Sequence, residues 1–375
     1  MSLVYPIQAL VISLILIELL RHAAKDLNLL DRPNYRKLHA GEVPLIGGLG
    51  IFGAVVLSAA VVPGLGAKYG FLFFPALFLL LLGLLDDARD LKPKVKLASQ
   101  VCVSILVLVL EPQLLLKLAD GDTMPVFWKV LSWVLTVTVL TGAMNAFNMM
   151  DGVDGLAGAI SSIALCWIMI AAAVSGFHFL DVMALQVLMP VIAFLHFNAR
   201  APWRRRAVVF LGDAGSLMLG FCITVFGLQL AGPSKGGWSA LALCFIIALP
   251  VVDTLSLIAR RLMAGRSPLS ADRQHLHHLL QQAGCSPGQV TALLTWVSVA
   301  IGGLGLFLDL LRVGSLALLG VLVGLFCAHL VLVSYLQWRI QTTASPASLA
   351  GPAPDEGAQP ELALARSANP GGAQS

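Results

Sequence analysis

Charge is what this sequence has least of. Asp, Glu, Lys and Arg make up 12% of its 375 residues, against 58% hydrophobic ones. An ordinary soluble domain carries about 25% charged residues. So little charge excludes a soluble enzyme, a disordered chain and a nucleic-acid binder with a broad basic face. Cysteine supplies no disulfide framework: Cys102, Cys166, Cys222, Cys244 and Cys327 lie within apolar runs, and Cys285 lies between two of them. Strand-like alternation is missing, which argues against a β-barrel. The first apolar run has no basic segment before it and no small-residue cleavage site after it. Arg21 and His22 follow directly, so it reads as a span and not as a cleaved leader. No internal repeat of the kind many transporters show is visible.

What is present is a succession of aliphatic runs, each about 20 residues long, the length a helix needs to cross a bilayer. The fold class expected is an all-α integral membrane protein with about eleven transmembrane helices. They lie roughly at 4–20, 45–62, 71–85, 95–110, 127–143, 156–176, 182–197, 208–230, 238–258, 290–308 and 313–335. With the N-terminus outside, nineteen of the 24 Lys and Arg residues fall on the inner side. The positive-inside rule therefore places the N-terminus in the periplasm and the C-terminus in the cytoplasm. Residues 1–340 form the multi-span domain. The remainder, 341–375, is mostly Ala, Pro, Gly, Ser and Gln, and reads as a disordered cytoplasmic tail.

The acidic residues do not follow the same logic. Outside the tail most of them fall on the inner side, in distinct patterns. Asp86, Asp87 and Asp90 follow the third run. If the helix continues one turn, Asp86 and Asp90 share a face, as do Asp87 and Asp90. The plainer reading is a solvated helix end, with Arg89 and Lys92 as partners. A helix C-terminus disfavours carboxylates, however, which favours a bound cation. Next, Asn145, Asn148, Asp151 and Asp154 recur every third residue, which on a helix lines one slanted face with oxygen donors for a hard cation. Asn, Asp and Gly also make ordinary turns, and Gly152 and Gly155 are among them. Asp213 stands alone in Gly212-Asp213-Ala214-Gly215-Ser216, at the start of an apolar run. An acidic group there is functional by default, although Asp213 or Ser216 is also suited to cap the helix.

Two further segments carry mixed charge. Arg266, Asp272, Arg273, His275, His277 and His278 lie in the longest inner loop. Three His suggest zinc, but the only soft ligand nearby is Cys285. His and Arg together read better as a clamp for phosphate. The first inner loop holds Asp31, Lys37 and His39 ahead of Gly47 and Gly48, whose lack of a side chain allows close approach of a ligand or another helix. Its basic residues are equally explained as topology signals. All five segments share one face. Hard-cation ligands beside Arg and His are the equipment of phosphoryl transfer, and at a membrane mouth one substrate is a lipid phosphate. A cation-coupled transporter would place its acids near the midplane. An intramembrane aspartyl protease would need a partner Asp for Asp213 in another span.

The ordered set Asp86-Asp87-Ala-Arg-Asp90, Asn145-Ala-Phe-Asn148-Met-Met-Asp151-Gly-Val-Asp154-Gly, Gly212-Asp213-Ala-Gly-Ser216 and Asp272-Arg-Gln-His275-Leu-His277-His278 resembles the polyprenyl-phosphate N-acetylhexosamine-1-phosphate transferases, glycosyltransferase family 4. The likeness covers about residues 1–340. The His-Leu-His-His form and the Asp31-Arg-Pro-Asn segment resemble the branch using UDP-GlcNAc and undecaprenyl phosphate, while His275-Leu-His-His278 and Pro44-Leu-Ile-Gly-Gly48 depart from the pattern of the peptidoglycan branch. The resemblance implies a bacterial inner-membrane enzyme that makes GlcNAc-diphosphoundecaprenol and UMP with Mg²⁺ or Mn²⁺. That is a first lipid-linked step of O-antigen or related polysaccharide synthesis. It leaves room for another UDP-N-acetylhexosamine, such as a 6-deoxy sugar, and for a homodimer.

The resemblance also assigns residues. It implies Asp213, Asn148 and Asp87 as metal ligands, and Asp86 and Asp87 as the paired carboxylates of the reaction centre. Asp151 and Asp154 become the polar wall beside the nucleotide. Asp31, Lys37, His39, Asp90, Asn145, Arg266, Asp272, Arg273, His275, His277 and His278 are implied in substrate binding. The second pKa of a phosphate monoester lies near ~6, so the lipid phosphate is already a dianion and a nucleophile. Direct attack on the β-phosphate is favoured over a two-step route through an Asp-phosphosugar.

Overall fold

The computed structural model describes residues 4–31, 41–62, 64–116, 125–231, 237–268 and 274–343. The described residues are helical almost throughout. The helices are α1 (Val4–Ala23), α2 (Gly47–Val61), α3 (Leu65–Arg89), α4 (Pro93–Leu110), α5 (Val126–Met150), α6 (Leu156–Val174) and α7 (His178–Asn198). After these come α8 (Gly212–Leu230), α9 (Ala240–Cys244), α10 (Ala248–Met263), α11 (Leu276–Gln282), α12 (Pro287–Leu310) and α13 (Ser315–Thr343). Among the described residues ten helices are long and apolar enough to cross a membrane, with α9 and α10 counting as one. The 45–62 run yields only the 15-residue α2, about 22 Å long against a ~30 Å hydrocarbon core. Several helices run past the expected limits at their polar ends: α3 continues through Asp86 and Asp87, and α5 through Asn145 and Asn148. Part of the loop chemistry therefore stands on rigid helix ends. The expected tail lies, from residue 344 onward, outside the described residues.

Two departures from helix have local causes. Between α9 and α10 the chain tightens into a 3₁₀ turn at Phe245–Ile247. Pro250 lacks an N–H for the carbonyl four residues earlier, so a regular turn cannot close there. A two-residue antiparallel pair joins β1 (Leu30–Asp31) to β2 (Val43–Pro44). The Phe210 N–H then donates to the Pro44 carbonyl at 2.8 Å, and the Gly47 N–H donates to the Phe210 carbonyl at 3.0 Å. These bonds tie the start of α2 to the start of α8.

Lipid tails are as apolar as leucine, so helices in a membrane associate by close packing and interhelical hydrogen bonds. α8 is the most enclosed span and α13 the most exposed. α8 packs against α3, α5, α2 and α6. The approach of α3 to α8 is so close that a Cβ on Gly83 would stand 2.3 Å from Ala214 Cα. Gly48 likewise meets Gly215 backbone, so this entrance glycine serves helix contact. Between α4 and α5, Asn145 donates to Gln100, and the Ser104 and Thr141 hydroxyls meet at 3.1 Å. Such bonds contribute about 0.6 kcal/mol each, enough to set register. The outcome is a bundle in which the polar ends of α3, α4, α5 and α8 converge.

Candidate active site

Four helices contribute to one cluster. Asp86 and Asp87 stand in the last turn of α3, Lys96 in the first turn of α4, Asn148 near the end of α5 and Asp213 in the first turn of α8. All five are half-buried. The Lys96 ammonium donates to Asp86 Oδ2 at 2.6 Å, to Asn148 Oδ1 at 3.4 Å and to Asp213 Oδ2. Asn148 Nδ2 donates to Asp213 Oδ1 at 2.7 Å and to Ser216 Oγ at 2.9 Å. Asp86 also accepts the Leu91 N–H at 2.8 Å, which fixes its carboxylate to the α3–α4 connection.

Asp87 takes a different place. Its carboxylate accepts the backbone N–H groups of Asp213 at 3.1 Å and Ala214 at 3.5 Å. It caps α8 from the neighbouring helix, at the end where the dipole favours negative charge. The expectation that Asp213 or Ser216 caps α8 is thereby corrected: Ser216 donates to the Gly212 carbonyl instead. Gly212 makes the capped turn possible. Its φ is +73°, and a Cβ there would stand 2.6 Å from Asp87 Oδ2.

Asp151 and Asp154 do not continue the helical face of Asn145 and Asn148. α5 stops at Met150, Asp151 is its C-cap, and the chain turns through Gly155 at φ +81°. Asp151 accepts the Gly212 N–H, and burial, then the charges of Asp213 and Asp87, push its carboxyl up to about 8. Asp154 accepts from Arg200 Nε at 2.8 Å and from the Ala207 N–H at 3.3 Å. Asn145 faces Gln100 within the bundle. Asp90 leaves α3 at φ +49° and is exposed, so it shares no face with Asp86 or Asp87.

The His-rich segment packs beside this turn. His275 precedes α11, and its Nδ1 donates to Asp253 Oδ2 at 2.7 Å. The His277 ring stacks parallel to His275 at 5.6 Å and lies against Gly152, where a Cβ would stand 2.5 Å from His277 Nε2. Burial, and then His278, lower the His277 pKa to about 3, so that ring is neutral at physiological pH. Arg260 donates to the Gln274 carbonyl at 2.9 Å, holding the segment to the end of α10. Arg266 is exposed and Asp31 is buried on β1. Lys37, His39, Asp272 and Arg273 lie outside the described residues.

Three side chains that sequence patterns did not single out belong here. Lys96 reads as a topology charge, yet a lysine in the first turn of a helix opposes the dipole and needs a carboxylate to justify it. Asp253 and His329 are polar residues inside apolar runs, which is itself a functional signal. No three His, Cys, Asp or Glu side chains form a ready cage among the described residues. What exists is an oxygen cradle around a cation. Asp86, Asp213 and Asn148 all reach the Lys96 ammonium. Carboxylate and amide oxygens are the donors that Mg²⁺ and Mn²⁺ prefer, so the residues present fit such an ion.

Comparison with known proteins gives consistent likenesses. Residues 69–231 match the family "Glycosyl transferase family 4". The undecaprenyl-phosphate alpha-N-acetylglucosaminyl 1-phosphate transferase of Escherichia coli (strain K12) is 30% identical over 295 residues, covering 77% of this chain and 79% of that protein. The same-named protein of Yersinia pestis is 32% identical over 288 residues, covering 76% and 78%. That of Haemophilus influenzae is 32% identical over 327 residues, covering 86% and 90%.

Proposed function

Because this chain belongs to glycosyl transferase family 4, we propose that it transfers GlcNAc 1-phosphate from UDP-GlcNAc to undecaprenyl phosphate, giving GlcNAc-diphosphoundecaprenol and UMP. The observation that carries the reading is the convergence of Asp86, Asn148 and Asp213 on one cationic group. It occurs in a chain 30–32% identical, over most of its length, to proteins named for that reaction.

The chemistry follows from the residues in place. An oxygen of the lipid phosphate dianion attacks the β-phosphorus of the sugar nucleotide. The bond from that phosphorus to the bridging oxygen breaks, and UMP leaves with the electron pair. No proton has to be removed from the nucleophile, so Asp86 and Asp87 have positioning and electrostatic tasks. Asp213 and Asn148 would hold Mg²⁺ or Mn²⁺, with Asp86 in the place the family resemblance gives to Asp87, since the Asp87 carboxylate is engaged by the N–H groups of Asp213 and Ala214. Such an ion, when bound, shields phosphate oxygens and stabilises the charge that develops on them. Asp87 fixes the backbone of Asp213 and thus the place of its carboxylate. Lys96 offers a second positive charge at the same spot, and the His-rich segment faces the turn beside it, ready for the donor phosphates.

The sidedness of the basic residues supports a site on the cytoplasmic face of a bacterial inner membrane, where soluble UDP-sugars are available. The product fits the first lipid-linked step of O-antigen or a related surface polysaccharide. The test is direct. Purified protein is supplied with Mg²⁺, undecaprenyl phosphate and a panel of UDP-sugars, and UMP release is measured. Release with UDP-GlcNAc supports the reading. Release with only a different UDP-N-acetylhexosamine corrects the donor, and no release with any donor overturns the reading.

A further inference from the structure

Among the described residues, the most enclosed acidic residue outside the carboxylate cluster is Asp253, on α10, with no exposed surface. A buried carboxylate is expensive unless it is paired and hydrogen-bonded, and this one is met from two other elements. His275 Nδ1 donates to its Oδ2 at 2.7 Å, and the Leu276 N–H donates to its Oδ1 at 3.0 Å. From the last span, α13, His329 Nε2 stands 3.3 Å from the same Oδ1. A carboxylate accepts and does not donate, so His275 carries its proton on Nδ1, and one ring orientation is selected. The fixed ring then stacks on His277, which lies against Gly152 in the turn bearing Asp151 and Asp154. His277 is 1% exposed, and neither of its ring nitrogens has a hydrogen-bond partner among the described residues. A buried ring held this tightly depends on its neighbours for its orientation.

We propose that Asp253 and His329 are positioning residues for donor recognition: together they lock His275, and through it His277, against the Gly152 turn, so that the last membrane span fixes the phosphate-recognising segment. The proposal rests on the transferase reading above. A pair that merely helped the bundle fold would affect the amount of active enzyme. A pair that orients the donor-binding segment affects how tightly the donor is held.

The experiment measures kcat and both KM values for purified wild type, Asp253→Asn, His275→Asn and the double variant, at matched folded fraction. Asp253→Asn is expected to raise KM for UDP-GlcNAc about 10–100-fold, the usual loss when a residue that orients a functional histidine is removed. KM for undecaprenyl phosphate is expected to stay unchanged. The double variant should be no worse than His275→Asn alone, since residues acting as one unit are not additive. His329 tests the same unit from the other side, and serves if Asp253→Asn fails to fold. His329→Gln keeps an N–H donor at similar reach and should bind donor nearly as wild type does, whereas His329→Leu should share the KM increase. A fall in kcat with KM unchanged, or losses at Asp253 and His275 that multiply, overturns the proposal alone. Wild-type protein that releases no UMP with any UDP-sugar removes the transferase reading and this proposal with it.

Discussion

The Asp87 carboxylate, at the end of α3, accepts the backbone N–H of Asp213, at the start of α8, at 3.1 Å. One acidic residue of the site thus sets where the other stands, by way of the main chain between them. Gly212 is the hinge of this arrangement, because its φ of +73° and its missing Cβ let the Asp87 carboxylate reach the helix end. Gly212→Ala should therefore lower turnover by about 10²-fold, the loss a ~1 Å misplacement of reacting groups brings. It should also destabilise by roughly 1–2 kcal/mol from the left-handed backbone. Gly227, further along α8, has open space around it, and Gly227→Ala should leave turnover and melting temperature as they are. UMP release and thermal melting in detergent check both variants. Equal behaviour of the two would remove the hinge.

Lys96 joins Asp86, Asn148 and Asp213, and so occupies the cradle that suits a divalent cation. A lysine charge about 4 Å from such a doubly charged ion opposes it by about 8 kcal/mol at an effective dielectric of 20. Lys96→Met should thus tighten Mg²⁺ binding, seen as thermal stabilisation at lower Mg²⁺ concentration, while turnover falls about tenfold or more from the loss of charge stabilisation on the phosphates. Arginine keeps the charge but not the compact ammonium, so Lys96→Arg should not restore full turnover. Weaker Mg²⁺ stabilisation in Lys96→Met would show that the ammonium and the metal do not share the cradle.

Asp151 gives a pH signature with a definite sign. Burial and the neighbouring Asp213 and Asp87 charges raise its carboxyl from 3.8 to about 8. Between those values the native state holds a proton that the unfolded state has released. The slope of stability with pH is therefore negative across that window. The contribution is fully present below the unfolded pKa and is lost as pH rises through the folded one. Without divalent cations, Asp151→Asn should melt higher than wild type near pH 9, and the two should converge near pH 4. Melting curves from pH 4 to 9 in the presence of chelator decide. A wild-type advantage at pH 9 would refute the buried, protonated carboxyl.

Much of this site was legible because polar groups are conspicuous in an apolar chain. Asp86, Asp87, Asn148 and Asp213 stand out against aliphatic sequence, and folding brings them together because each ends or begins a span. The helical face drawn through Asn145, Asn148, Asp151 and Asp154 failed midway for a local reason. Gly152 and Gly155 weaken the helix, and Gly155 takes a left-handed conformation that side chains resist. The Asp253–His329 pair was hidden by distance. Each residue is a lone polar group in a long apolar run, and only the packing of α10 on α13 shows that they face one another. Lys96 was hidden by redundancy: any lysine near a span end satisfies the topology rule.

Asp154 and Arg200 form an ion pair at 2.8 Å, with Asp154 half-buried and Arg200 more open. The same carboxylate accepts the Ala207 N–H, and its backbone carbonyl accepts from Thr291 on α12. Asp154 thus pins the connection after α7 and the start of α12 to the turn that carries Asp151. Partly exposed ion pairs contribute little by charge alone, about 0–1 kcal/mol, so the consequence of breaking this one is chiefly positional. Asp154→Asn keeps an oxygen for Ala207 but loses the charge-assisted bond. Arg200→Gln keeps a donor and loses the charge. Each should reduce kcat/KM several-fold with little change in melting temperature, and the double variant should resemble the worse single one, since both remove a single link. Kinetics of the four proteins form the double-mutant cycle. If Asp154→Asn abolishes turnover while Arg200→Gln leaves it intact, Asp154 acts on the substrate directly, and the ion pair is incidental to that task.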